Sequence, residues 1–186
     1  MTKTRPPLTW ADLTDGEMLH LRACVHEAGH AVVGAVLGGE IGTAIVSDSR
    51  VNGLEGFVHW ANLPDHIDAR VTYAGMAAES RLLYGPRPTT AQLRYLQTYN
   101  GRDTKALCAA AVREMNTPGT PTAEARMVVP PLLNRTWGAV VKVAQQLHRT
   151  SEASHDDVCA ALGLPKGDRG GPSSTHIAFL TAGLRR

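Results

Sequence analysis

Between Asp15 and Leu37 apolar and small residues recur at helical spacing, thicken into the run AVVGAVL at 31–37, and stop at Gly38-Gly39. This predicts a first helix with Asp15 as its N-cap; its third position is then Met18, which leaves the capping box incomplete. The glycine pair supplies the stop. Residues 41–47 (IGTAIVS) and 56–60 (GFVHW) read as two short strands around a turn at Asn52-Gly53. Pro64 and Asp65 open a second helix that runs to Tyr84 and ends at Gly85-Pro86. Its apolar stripe is Ile67, Val71, Ala74, Ala78 and Leu82.

The next stretch, 86–100, begins as a loop and holds a short helix from Ala91 to Gln97. An alanine-rich third helix covers 102–115, and Pro118 and Pro121 then break the chain. A long helix follows from Thr122 to Arg149, kinked or restarted at Pro130-Pro131, and Ser154 caps a last short helix, HDDVCAALG. The pattern therefore predicts a mainly α fold with a small β-sheet (α+β) inserted after the first helix. It divides the chain into an N-terminal tail (1–14), one domain (15–163) and a C-terminal tail (164–186). The tail PKGDRGGPSSTH has linker chemistry, so it is expected to be mobile with only IAFL able to dock.

Composition narrows the functional classes. A chain of 186 residues with 43% hydrophobic and 19% charged residues is long enough for one real core and is neither disordered nor fibrous. A net charge of +2 and 5% aromatic residues argue against nucleic acid as a partner. The apolar run at 31–37 is far too short to span a bilayer, and MTKTRPPLTW has no signal-peptide character. Cys24, Cys108 and Cys159 are odd in number and form no CxxC, which fits a reducing compartment. No membrane span and a cytoplasmic location are expected.

The chemistry is concentrated in His26-Glu27-Ala28-Gly29-His30, an HExxH motif inside the first helix. Residues four apart lie on one helix face about 6 Å apart along the axis, so both imidazoles can reach one ion. Glu27 sits to the side of that ion, where it can take a proton from an activated water and pass it to the leaving amine. The bland reading is two surface histidines one turn apart. Against it, Val25, Ala28, Ala31, Val32 and Val33 crowd the motif, so the histidines should be buried. Gly29 and Ala28 would let another segment approach closely; an interior helix glycine otherwise costs about 1 kcal/mol. A catalytic zinc needs a third protein ligand and an open position. No histidine follows soon after His30, so the third ligand must come from Glu79, Asp103 or, more weakly, His59.

HEAGHA, then AGMAAESRLLYG at 74–85, then NGRDTKALCAAA at 100–111, resembles the peptidase domain of the FtsH-type zinc proteases. That family carries HEAGHA, a GGxAAEExxFG helix and a TGAxxDLxxAT segment in this order. GLEGFVHW is similar to its short strand beside the active site, and LLNRTWGAVVKVAQQLHRTSEASHDDVCAALG to its closing helices. The resemblance covers about 15–163 and implies a helical FtsH-like zinc peptidase domain with one Zn2+ per chain. It implies His26, His30 and Asp103 as ligands, Glu27 as catalytic base, and Glu79 as a partner that fixes an imidazole or as an alternative ligand. Without the resemblance, Asp103 reads equally as a helix N-cap and Glu79 as a solvated helix carboxylate. Here NGR replaces the usual TGA and threonine follows the aspartate.

No GxxxxGK[ST] occurs, so the expectation is a peptidase domain without the family's ATPase and membrane anchor. It would act on peptides or unfolded polypeptide, with a homo-oligomer or a partner ATPase as further possibilities. Gly56, Phe57 and Val58 are candidates for an edge strand that pairs with extended substrate, the alternative being a plain core strand. Two other functions fit the motif less well. A repressor-cleaving regulatory HExxH peptidase usually carries E-x-x-A-N-x-F-A where this chain has AGMAAES. A zinc-holding scaffold without turnover has no need of Glu27.

Overall fold

The computed structural model describes residues 12–49, 53–114 and 121–164. Helix α1 (Asp15–Val36) leads into strands β1 (Glu40–Ser49) and β2 (Gly53–Asn62). One turn of 3-10 helix (Asp65–Ile67) then opens α2 (Asp68–Tyr84). Helices α3 (Thr90–Tyr99), α4 (Gly101–Glu114) and α5 (Pro121–Thr150) follow, then the two-residue strand β3 (Glu152–Ala153) and α6 (His155–Leu162). The fold is mainly α, with one small antiparallel sheet in the order β2-β1-β3.

Local chemistry explains where the elements begin. Thr14, not Asp15, caps α1: its hydroxyl accepts the Glu17 N–H while Glu17 Oε2 accepts the Thr14 N–H at 2.8 Å. Moving the cap back one residue puts Glu17 at the third position, so the capping box is complete. Asp15 instead lies in the first turn, near the positive end of the helix dipole. At the other end Gly38 takes φ 101°, and the Gly39 N–H closes on Gly34 O at 2.8 Å, so the stop is the glycine pair as expected.

Packing makes α1 the centre of the molecule. From Cys24 to Val36 nearly every residue is buried, because α2 packs on one side of it and α5 on another. Gly29 is what lets α2 in: a Cβ there would meet Ala78 Cβ at 2.6 Å and Ala74 O at 2.8 Å. The close approach expected at this glycine is therefore real. Ile67, Val71, Ala74 and Ala78 are buried as the stripe predicted, and Leu82 is half-buried.

Three expectations change. Helix α5 runs unbroken through Pro130 and Pro131, held by Val129, Leu132 and Leu133 buried against the core. Two missing N–H groups are tolerated there because tertiary burial outweighs them. The strands extend beyond the apolar alternation, since pairing continues from Glu40↔Asn62 to Ser49↔Gly53. Strand β3 was not expected at all; two residues pairing Ala44↔Ala153 and Ile45↔Glu152 leave no periodicity to detect. The turn at Asn52 and the tail containing IAFL lie outside the described residues. Among the described residues no helix is long and apolar enough to cross a membrane.

Candidate metal centre

Three side-chain atoms from two helices converge on one point. His26 Nε2 lies 2.8 Å from Asp103 Oδ2 and 3.0 Å from His30 Nε2, and His30 Nε2 lies 3.2 Å from the same carboxylate oxygen. Ligands of a tetrahedral zinc stand about 3.3–3.5 Å apart, given bonds of about 2.0–2.2 Å, so the shortest side of this triangle needs to open by about 0.5–0.7 Å. Helical spacing within α1 supplies the two imidazoles. Asp103 comes from the first turn of α4, which is separated from α3 by the single residue Asn100. Asp103 is the third residue of α4, so the N-cap alternative fails.

Of the other two ring nitrogens, one is hydrogen-bonded and one faces a carboxylate. His30 Nδ1–H donates to the Val71 carbonyl at 2.7 Å, which leaves Nε2 with its lone pair toward the triangle. Buried His26 Nδ1 faces Glu79 Oε2 at 3.4 Å, within ion-pair range but off hydrogen-bond geometry. Glu79 is only 4% exposed and is fixed on its other sides. Arg22 Nε donates to its Oε1 and Asn100 Nδ2 to its Oε2, each at 2.8 Å. A solvated helix carboxylate is thereby excluded. Glu79 lies outside the triangle, on the side of His26 where a carboxylate commonly backs a metal-bound histidine.

Glycine makes the remaining room. A Cβ on Gly75 of α2 would fall 2.6 Å from His26 Nε2 and closer still to His30 Nε2, so this position must lack a side chain for anything to sit between the imidazoles. A Cβ on Gly56 of β2 would meet Glu27 Oε1 at 2.6 Å, so β2 passes directly over the Glu27 carboxylate. Glu27 is 7% exposed. These groups line one cleft of about 640 Å³, bounded by Gly56, Phe57, Val58 and Trp60 of β2 and by Tyr99 at the end of α3. Among the described residues β2 is an outer strand of the sheet, as is β3, and Phe57 is half-exposed. His59 is exposed, packed over Gly42 on the other side of the strand, and does not join the ligands.

The electrostatics favour positive charge at this centre. Burial opposes charge on His26, yet the Asp103 and Glu79 carboxylates outweigh it and hold its pKa up to about 10. Burial would raise Asp103, but His26 and His30 pull it well below the usual carboxylate range. Glu79 is likewise lowered, burial being outweighed by His26, Asn100 and Arg22. Glu27 moves the other way: burial pushes it up, and His30 and His26 only partly offset this. A metal at this centre must displace the His26 proton at neutral pH. Zinc affinity should therefore rise about tenfold per pH unit from pH 6 toward pH 9, flattening only as the proton is lost near pH 10. Calorimetry in two buffers of different ionisation enthalpy reads the released proton directly; release of none at pH 7 would contradict this assignment.

The sequence matches no family model and no curated protein. His26, His30, Asp103, Glu27 and the 56–58 segment are thus brought together by the structure itself, with Glu79 behind His26. Sequence reasoning missed Gly75, Arg22, Asn100 and the Val71 carbonyl. A glycine inside the helical pattern of α2, where the GGxAAE pattern of the FtsH-type family also has one, was the available signal for Gly75; backbone acceptors and long-range partners leave none. Leu133 is buried, and Trp137 is partly buried with the Arg81 guanidinium 4.6 Å over its ring, so neither belongs to the cleft.

Proposed function

We propose that this chain is a zinc-dependent endopeptidase acting on peptides or unfolded polypeptide. The observation that carries the reading is the convergence of His26 Nε2, His30 Nε2 and Asp103 Oδ2 in one cleft with buried Glu27 and the outer strand β2. The donor set, two neutral imidazoles and one carboxylate, suits a catalytic zinc with an open position, and the room left by Gly75 fits an ion between the imidazoles. When bound, zinc would polarise the scissile carbonyl and bring the pKa of a water toward neutrality.

The protein's own groups do the rest. An extended substrate adds to the free edge of β2 at Gly56–Val58, which aligns its carbonyl along the cleft. Glu27 takes the proton of the attacking water and returns it to the departing amine nitrogen, so the peptide C–N bond breaks without a net proton change. A carboxylate with a raised pKa suits both halves of that transfer. The order and spacing of HEAGHA, AGMAAES and NGRDT support an FtsH-type peptidase architecture for this domain. Cys24, Cys108 and Cys159 are thiols rather than disulfides, which supports a cytoplasmic setting.

Zinc per chain in the parent and in Asp103→Ala tests the reading. The variant should hold one equivalent fewer and lose peptidase activity. Equal zinc in both would remove Asp103 from the centre and the proposed mechanism with it.

A further inference from the structure

A second group of metal-binding atoms lies on the far side of α1. His20 and Cys24 are one helical turn apart on that helix, and His148 reaches them from the last turn of α5. One ring nitrogen from each histidine and Cys24 Sγ all lie within 4.8 Å of one another. The two imidazoles meet edge to face, with centroids 5.1 Å apart. Helical rotation of about 100° per residue puts Cys24 about 160° around α1 from His26, so this cluster shares no ligand or face with the candidate catalytic centre. Between them the two groups would occupy the α1–α2 and the α1–α5 interfaces.

We propose that His20, Cys24 and His148 form a second metal site, taking a borderline-soft divalent cation such as zinc, that pins α1 to the end of α5. His20 and Cys24 are preset by the helix, Cys24 being fully buried, while His148 is exposed and its ring already packs on that of His20. Coordination exchanges the Cys24 thiol proton for the ion, the proton leaving to solvent, and water completes the tetrahedron. His148 stands at the negative end of the α5 dipole, and the Glu17 carboxylate lies within its electrostatic reach; both favour a bound cation. The same metal would thus be used twice: once with oxygen and nitrogen ligands for chemistry, once with a sulfur ligand to hold the catalytic helix.

Cobalt separates the two sites, because only the second contains sulfur. The metal-stripped full chain should take up two cobalt ions, with a near-ultraviolet thiolate-to-cobalt charge-transfer band. Asp103→Ala should bind one ion and keep the band. Cys24→Ala should bind one ion and lose it. His148→Ala, an exposed substitution that leaves the core untouched, should weaken the band at stoichiometric cobalt by at least tenfold, and cobalt should raise the Tm of Asp103→Ala but not of Asp103→Ala/His148→Ala. Absence of the band in both parent and Asp103→Ala would overturn the proposal. So would a band that survives both Cys24→Ala and His148→Ala, since that band would belong to Cys108 or Cys159. A parent that takes up a single cobalt ion with the band intact would count against the catalytic reading and leave this one standing.

Discussion

Glu27→Gln should retain the parent's zinc and lose about 10²–10⁴-fold in kcat against a fluorogenic peptide. The substitution is close to isosteric, and the space matters because Gly56 of β2 lies directly over the Glu27 carboxylate. The amide fills that space, so neither the strand nor the imidazoles need move. What it removes is the capacity to accept a proton from the attacking water and hand it to the amine. Stability should not fall: burial already disfavours the charge on Glu27, and a neutral amide at 7% exposure avoids that cost. Zinc analysis, thermal unfolding and the peptidase assay on the same preparation separate these effects. A variant that cleaves as fast as the parent would rule out Glu27 as the base. A variant that loses zinc would instead make Glu27 part of the ligand set.

How much of this arrangement was legible in the sequence follows from which forces act locally. The elements of α1, α2 and α6 were readable because caps, stops and 3.6-residue stripes are local codes. Even so, the α1 cap was misplaced by one residue, because Thr14 and Asp15 are both competent and only the Glu17 side chain decides between them. The continuity of α5 through two prolines was not readable, since local propensity argues for a break and burial of Val129, Leu132 and Leu133 overrides it. His26, Glu27 and His30 announce themselves by spacing alone. Asp103 does not: 77 residues separate it from His26, and only the turn at Asn100-Gly101 swings it into place. The support of Glu79 by Arg22 and Asn100 is equally non-local, built from three elements whose mutual distances no pattern encodes.

Gly75→Ala should lose zinc affinity, and the helix propensity it adds to α2 should not surface as stability, because the methyl meets both imidazoles in the metal-free protein as well. Alanine is favoured over glycine in a helix interior by about 0.5–1 kcal/mol, so α2 itself gains. As a control for that gain, Gly138→Ala in α5 places its methyl where nothing lies within 4 Å, and it should raise Tm without touching zinc. At Gly75 the added methyl instead lands 2.6 Å from His26 Nε2 and nearer to His30 Nε2. A zinc about 2.0–2.1 Å from both nitrogens would share that space, so the methyl and the ion exclude each other. His30 has little freedom to retreat while its Nδ1–H is tied to the Val71 carbonyl on the same helix α2. Zinc affinity at this centre should therefore fall at least about 100-fold, a loss of about 2.7 kcal/mol in zinc-dependent stabilisation under excess metal. The apo protein should keep its helix content. Zinc titration by calorimetry on the Cys24→Ala background reads this centre alone. Parent-like affinity in Gly75→Ala would mean that the ion does not sit between the two imidazoles, and that α2 approaches α1 for packing only.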